Sequence, residues 1–193
     1  MKSAFLLAAL LAASAHAAVD MAAAAAQAQT CFACHGPNGI SQTAEIPSLA
    51  GQPDGFLQWQ LVFFRTGTRK SPLMSPVAAT LKDDDIRGLA AFFARQTPPA
   101  ADASAAADAT LMAAARQLVQ ANRCASCHQA DFSGTQATAR LAAQREDYLL
   151  KALREFKANT RRGGGQAAMA DVVYPLADND LRALAHFLAR QPS

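Results

Sequence analysis

The chain has 193 residues, 51% of them hydrophobic and 17% charged, and its 18 basic against 15 acidic side chains give a net charge of +3. No apolar run approaches the roughly twenty residues a helix needs to cross a bilayer. Only four cysteines are present, and they fall in two close pairs.

At the N-terminus, Lys2 precedes an apolar run over 4–13, and Ala15-His16-Ala17 fits a small-residue cleavage site. Residues 1–18 therefore read as a secretory signal peptide, with an uncleaved anchor as the alternative.

An alanine-rich helical segment then leads into Cys31-Phe32-Ala33-Cys34-His35, and a later one leads into Cys124-Ala125-Ser126-Cys127-His128. C-x-x-C-H is the attachment signature for c-type haem: both thiols add to the haem vinyl groups, and the adjoining imidazole becomes the proximal iron ligand. Two intervening residues set the sulfurs about one helical turn apart. The two copies use every cysteine, so Cys31, Cys34, Cys124 and Cys127, with His35 and His128, predict two covalently bound c-type haems. A thiol redox pair or half of a zinc site competes with this reading. Neither needs a histidine after the second cysteine, and no strand, helix, strand pattern surrounds either motif. Export followed by haem attachment places the chain in a periplasm, where thioether bonds claim the sulfurs before disulfides form.

The two halves are an internal repeat. Residues 48–57 run parallel to 140–149; Leu61, Phe64 and Arg65 parallel Leu153, Phe156 and Lys157; and 81–96 lie over 176–191. In that last pair, acidic residues lead into an apolar face of about 3.6-residue period. Each half also carries a mid-domain amphipathic helix, and no segment alternates as a strand would. The expected architecture is all-α, with one small domain at 19–96, a linker at 97–110 broken by Pro98-Pro99, and a second domain at 111–193. Units of this size bury modest cores, so each is expected to wrap its haem and to fold poorly without it.

These features resemble the class I c-type cytochromes, and within them the dihaem cytochrome c4 group of bacterial periplasms. The resemblance spans essentially the whole chain after the leader. It rests on the two haem motifs, on Gly36 and Gly39, on Pro-x-Leu-Ala-Gly-Gln at 47–52, and on a methionine ahead of each final helix. It implies two tandem cytochrome c-like domains, His/Met-ligated haems and an electron-transfer role.

The repeat itself also selects the methionines. Among Met1, Met21, Met74, Met112 and Met169, only Met74 and Met169 superpose, each seven residues before the matched Leu81 or Leu176. They are the candidate sixth ligands, with core filling as the alternative. A thioether opposite imidazole favours reduced iron, and filled axial positions favour a carrier over a catalyst. Bis-histidine ligation fails on counting, since beyond His35 and His128 only His16 in the leader and His186 remain. His186 aligns with Ala91 and is expected to face solvent or to pack lightly.

The second half departs from the first where Gln129 matches Gly36, Ala139 matches Pro47, and a glycine-rich stretch at 163–169 matches 72–76. The resemblance implies that the carbonyl of Pro47 accepts a hydrogen bond from the proximal histidine, and Ala139 retains a carbonyl for the same purpose. The glycines are expected to loosen the loop that presents Met169, making the second haem the one to lose its methionine or bind a small ligand.

Residues 18–100 balance six basic against six acidic side chains, residues 101–193 carry eleven against nine, and Lys2 in the leader supplies the remaining positive charge. Four haem propionates bring the exported protein to about −2, so no nucleic-acid role is expected. Arg140, Arg145, Lys151, Arg154, Lys157, Arg161 and Arg162 crowd one stretch, either a docking patch for an acidic partner or a solvated helix face. Trp59, Val62 and Phe63 form an apolar face where the second half has Lys151, Arg154 and Glu155. That face is expected to pack on the second domain, a redox-partner patch and a deeper core being the alternatives.

The expected function is a periplasmic dihaem carrier of single electrons. Its partners would be redox proteins: a membrane or periplasmic donor, and a terminal oxidase or reductase. A haem subunit of a periplasmic dehydrogenase, or a haem enzyme or sensor with an open second iron, is the alternative. Peripheral membrane association and oligomeric state stay open.

Overall fold

The computed structural model describes residues 19–101 and 106–193, so the leader and part of the 97–110 linker lie outside the described residues. Helix α1 (Met21–His35) starts at Asp20, whose carboxylate accepts the amides of Ala22 and Ala23 at 2.9 and 3.1 Å. Helix α1 runs on through the first haem motif. It is followed by α2 (Asp54–Arg65), α3 (Met74–Ala79) and α4 (Asp83–Ala94).

The second half repeats the plan with one break. Helix α5 (Ala109–Ala121) is capped by Asp108 in the same way, at 2.8 and 3.0 Å to the amides of Thr110 and Leu111. Arg123 then takes a left-handed φ of 50°, and the second motif sits in a separate short helix, α6 (Ala125–His128). Helices α7 (Glu146–Lys157), α8 (Gln166–Val173) and α9 (Asp178–Ala189) complete the chain. No strand occurs among the described residues, only isolated bridges. None of their helices is long and apolar enough to cross a membrane.

In each half the final helix is the hub: α1 and α2 pack on α4, and α5 and α7 pack on α9. The apolar face read from the sequence supplies the core, with Leu57, Leu89, Ala90 and Phe93 buried in the first half and Leu149, Phe156, Leu181 and Leu184 in the second. Two separate clusters define two domains. The lead-in to each final helix is held alike: Arg65 donates to the Leu81 carbonyl at 3.0 Å and Lys157 to the Leu176 carbonyl at 2.6 Å. Asp85 and Asp180 each accept the amide three residues back, at 2.8 Å, as N-terminal caps.

The domains touch directly, and the Phe63 ring faces the glycines of the second domain. A Cβ on Gly163 would lie 3.1 Å from Phe63 Cδ1, and one on Gly164 would lie 2.9 Å from Phe63 Cζ. Glycine at 163–164 therefore makes room for an aromatic ring from the other domain, and the expectation of a loosened loop is corrected. Gln166 anchors the same loop, donating to the Arg162 carbonyl at 2.9 Å and accepting from Arg161 Nε at 2.8 Å. Trp59 stacks on Phe63 at 5.5 Å between centroids yet stays 52% exposed, so only part of the apolar face is covered.

Two further expectations are corrected. His186 is buried and fully engaged: Nε2 accepts the Asp108 amide at 3.0 Å, which leaves Nδ1 to donate to Glu146 at 3.2 Å. Its neighbours explain the choice of histidine, since Ala91 has no such pair to join. The basic stretch is also no single patch. Arg140 and Arg161 are buried, Arg154 is bidentate to Asp178 at 2.7 and 2.9 Å, and Lys151 lies 3.8 Å from Glu45. Lys151→Gln with Arg154→Gln is accordingly expected to leave the salt dependence of electron transfer unchanged. A flatter slope in stopped-flow measurements would restore the docking surface.

Candidate haem sites

Each proximal histidine is positioned by the turn after its motif. His35 Nδ1 donates to the Pro47 carbonyl at 2.8 Å, and His128 Nδ1 donates to the Ala139 carbonyl at 2.8 Å. Replacing Pro47 by Ala139 therefore costs the contact nothing. Burial favours the neutral form and lowers the pKa of both imidazoles, outweighing the carbonyl bond, which raises it. With the proton fixed on Nδ1, each ring keeps its Nε2 lone pair for a metal.

The thiols fit the same group. Cys31 and Cys124 are half-buried, and burial pushes both thiols up, the reverse of the depressed pKa that marks a reactive redox thiolate. Among the described residues no group of three His, Cys, Asp or Glu side chains is placed to hold a metal ion, so a zinc site has no donor set. Paired cysteines beside a neutral imidazole with a free Nε2 suit a covalent haem.

The methionines sit on matched elements with different support. Met74 opens α3, its amide donating to Ser71 Oγ at 3.1 Å, and α3 packs on α2. Met169 lies within α8 and packs against the same apolar cluster as Cys124. Both are half-buried.

Between the domains lies a polar seam that the sequence reading did not assign. Gln52 and Gln144 are both buried, and each reaches across to the other domain. Gln144 holds the backbone of Ser48 with two bonds of 2.8 Å, while Gln52 holds that of Arg140 at 2.9 and 3.0 Å. The signal was present, because glutamine recurs at the same place in both copies of the repeat. Nearby, Arg69 and Arg161 converge on Gln60 Oε1 at 2.6 and 3.3 Å, each guanidinium lying over a phenylalanine ring, Phe64 or Phe156. Tyr148 accepts from both arginines at 3.4 Å. Burial pushes its hydroxyl up, but Arg161 and Arg69 together outweigh this and bring it down to about 8. Two buried guanidinia therefore face one carboxylate, Glu155, which lies 3.9 Å from Arg69.

Two helical domains, each built round a haem-attachment motif, define a dihaem c-type cytochrome. The family described as "Cytochrome c" matches residues 112–191, and that described as "Cytochrome C oxidase, cbb3-type, subunit III" matches residues 17–93. Cytochrome c4 of Azotobacter vinelandii is 31% identical over 193 residues, covering 90% of each chain. A thiosulfate dehydrogenase electron acceptor of Stutzerimonas stutzeri is 29% identical, covering 84% of this chain and 79% of the relative. The crystal structure of reduced recombinant cytochrome c4 from Pseudomonas stutzeri superposes with a TM-score of 0.81 at 26% identity, over 90% of this chain and 100% of that one. The chain belongs to the cytochrome c4 family. It is an all-α dihaem electron-transfer protein with two covalently bound c-type haems.

Proposed function

We propose that the chain is a periplasmic carrier of single electrons. One haem is held by Cys31, Cys34 and His35 in a domain at 19–96, the other by Cys124, Cys127 and His128 in a domain at 111–193. Met74 and Met169 are the sixth ligands, and residues 1–18 direct export. The observation that carries this reading is the matched pair of proximal sites, in which each buried imidazole commits Nδ1 to a carbonyl at 2.8 Å and keeps Nε2 free. A haem held this way supplies a one-electron couple, and a thioether opposite imidazole raises its potential relative to bis-histidine ligation. The chain's own part is to hold, orient and electrostatically tune that couple.

The partners in this reading are redox proteins: a membrane or periplasmic donor, and a terminal oxidase or reductase. A second reading, the haem subunit of a periplasmic dehydrogenase complex, is favoured by the likeness to the thiosulfate dehydrogenase electron acceptor. An open second iron has less support, because Phe63 and Gln166 pack the loop ahead of Met169.

The test is the optical spectrum of the reduced, matured protein before and after carbon monoxide is added. No shift is expected, since both methionines hold. A shift in one of the two haems would overturn the carrier reading in favour of an enzyme or sensor.

A further inference from the structure

The carbonyl that takes the His35 Nδ1 proton belongs to the peptide between Pro47 and Ser48, and the N–H of that same peptide donates to Gln144 Oε1 at 2.8 Å. In the second domain the peptide between Ala139 and Arg140 takes the His128 proton, and its N–H donates to Gln52 Oε1 at 3.0 Å. Each amide side chain is fixed the right way round. Gln144 Nε2 donates to the Ser48 carbonyl at 2.8 Å, and Gln52 Nε2 donates to the Arg140 carbonyl at 2.9 Å. Ser48, Gln52, Arg140 and Gln144 are all buried, so water does not compete for these bonds.

A peptide group polarises as a unit. When its N–H is held by an acceptor, its carbonyl becomes more negative and a stronger acceptor in turn. A stronger acceptor at Nδ1 raises the basicity of the imidazole toward a metal at Nε2, and a more basic ligand favours oxidised iron. The two chains of bonds run from each proximal histidine, through one peptide, into the opposite domain.

We propose that Gln52 and Gln144 are crossed positioning residues for the proximal histidines, Gln144 lowering the reduction potential of the haem at His35 and Gln52 that of the haem at His128. The proposal rests on His35 and His128 being axial ligands. Under it neither domain sets its own potential alone, and separating the domains raises both.

The experiment measures both reduction potentials of the matured dihaem protein by spectroelectrochemistry, each assigned to its domain by nuclear magnetic resonance of the haem methyls. Gln144→Met is expected to favour reduction of the haem at His35 by about three- to tenfold, tenfold being about 59 mV for one electron, with a smaller change at the other haem. Gln52→Met is expected to do the reverse. Each variant is also expected to speed amide exchange at Ser48 or Arg140 respectively. Gln144→Glu and Gln52→Glu, measured at an acidic pH where the carboxyl is protonated and can both accept and donate, are expected to match the wild-type potentials at that pH and to guard against simple loss of folding. A shift at the haem of the substituted residue's own domain, equal shifts at both haems, or no shift would overturn the proposal. Ligation is read separately, from the low-spin spectra of the unsubstituted protein. Abnormal spectra there overturn the ligand assignment, whereas normal spectra with uncrossed shifts overturn only the relay.

Discussion

Phe63→Ala is expected to make the haem at His128, and not the one at His35, reactive toward carbon monoxide in the reduced protein. Phe63 belongs to the first domain but covers Gly163 and Gly164, which lead into α8 and Met169. Without the ring, two adjacent glycines regain their conformational freedom and Met169 is held from one side only. Lost packing of a half-buried ring should also cost about 2 kcal/mol of stability. Gly163→Val, with Phe63 intact, is expected to act the same way. Its Cβ would meet Thr68 Cγ2 at 2.9 Å, on a backbone with φ of 115°. Trp59→Lys serves as the comparison, since that ring is half exposed and its loss should matter less. Titration with carbon monoxide, followed optically, reads all three. A Phe63→Ala protein as unreactive as the parent would mean that the second domain holds its methionine unaided.

The second large effect is a gain. Gln129→Gly is expected to stabilise the second domain by about 1–2 kcal/mol. Gly36 and Gln129 follow His35 and His128 and share one backbone conformation, φ 76° and ψ 165° against φ 70° and ψ 162°. That region belongs to glycine, and a side chain there stores strain. The next turn explains how Gln129 is tolerated at all: histidine and carbonyl are twelve residues apart in the first domain and eleven in the second, so the shorter turn follows a different path. The reverse change should be severe. A Cβ at Gly36 would lie 1.9 Å from the Ile40 carbonyl oxygen, and Gly36→Gln is expected to cost about 3 kcal/mol or more. Thermal unfolding followed at the haem bands reads both variants. A neutral or destabilising Gln129→Gly would show that the strain is relieved elsewhere.

The parts legible in the sequence were those written as short-range pattern. The motifs placed His35 and His128, the 3.6-residue period named the core faces of α4 and α9, and the repeat register set Met74 and Met169 on matched helices. What escaped was decided by contact between the halves. The glycines at 163–164 read as slack because nothing in a linear sequence says that Phe63, a hundred residues earlier, lies against them. His186 read as tolerant because Ala91 replaces it, yet Glu146 and the Asp108 amide occupy its two nitrogens. The basic stretch read as a surface because the charges are neighbours in sequence, whereas folding sends Arg140 and Arg161 into the interface and pairs Arg154 with Asp178. Periodicity identifies a buried face without identifying what buries it.

The seam between the domains has one further property. Gln52 reaches the backbone at Arg140, and Gln144 reaches the backbone at Ser48, which is one contact made twice with the partners exchanged. The backbone bridge between Arg69 and Arg161 pairs a residue with its own counterpart in the repeat, marking where the exchange axis passes. This is the self-complementary surface of a two-fold homodimer, written within a single polypeptide. The chain between α4 and α5 then raises the local concentration of one half around the other, while the orientation is encoded in the surfaces themselves. Departures from symmetry, such as Phe63 facing glycines on one side only, are changes that a true homodimer could not make in one copy alone.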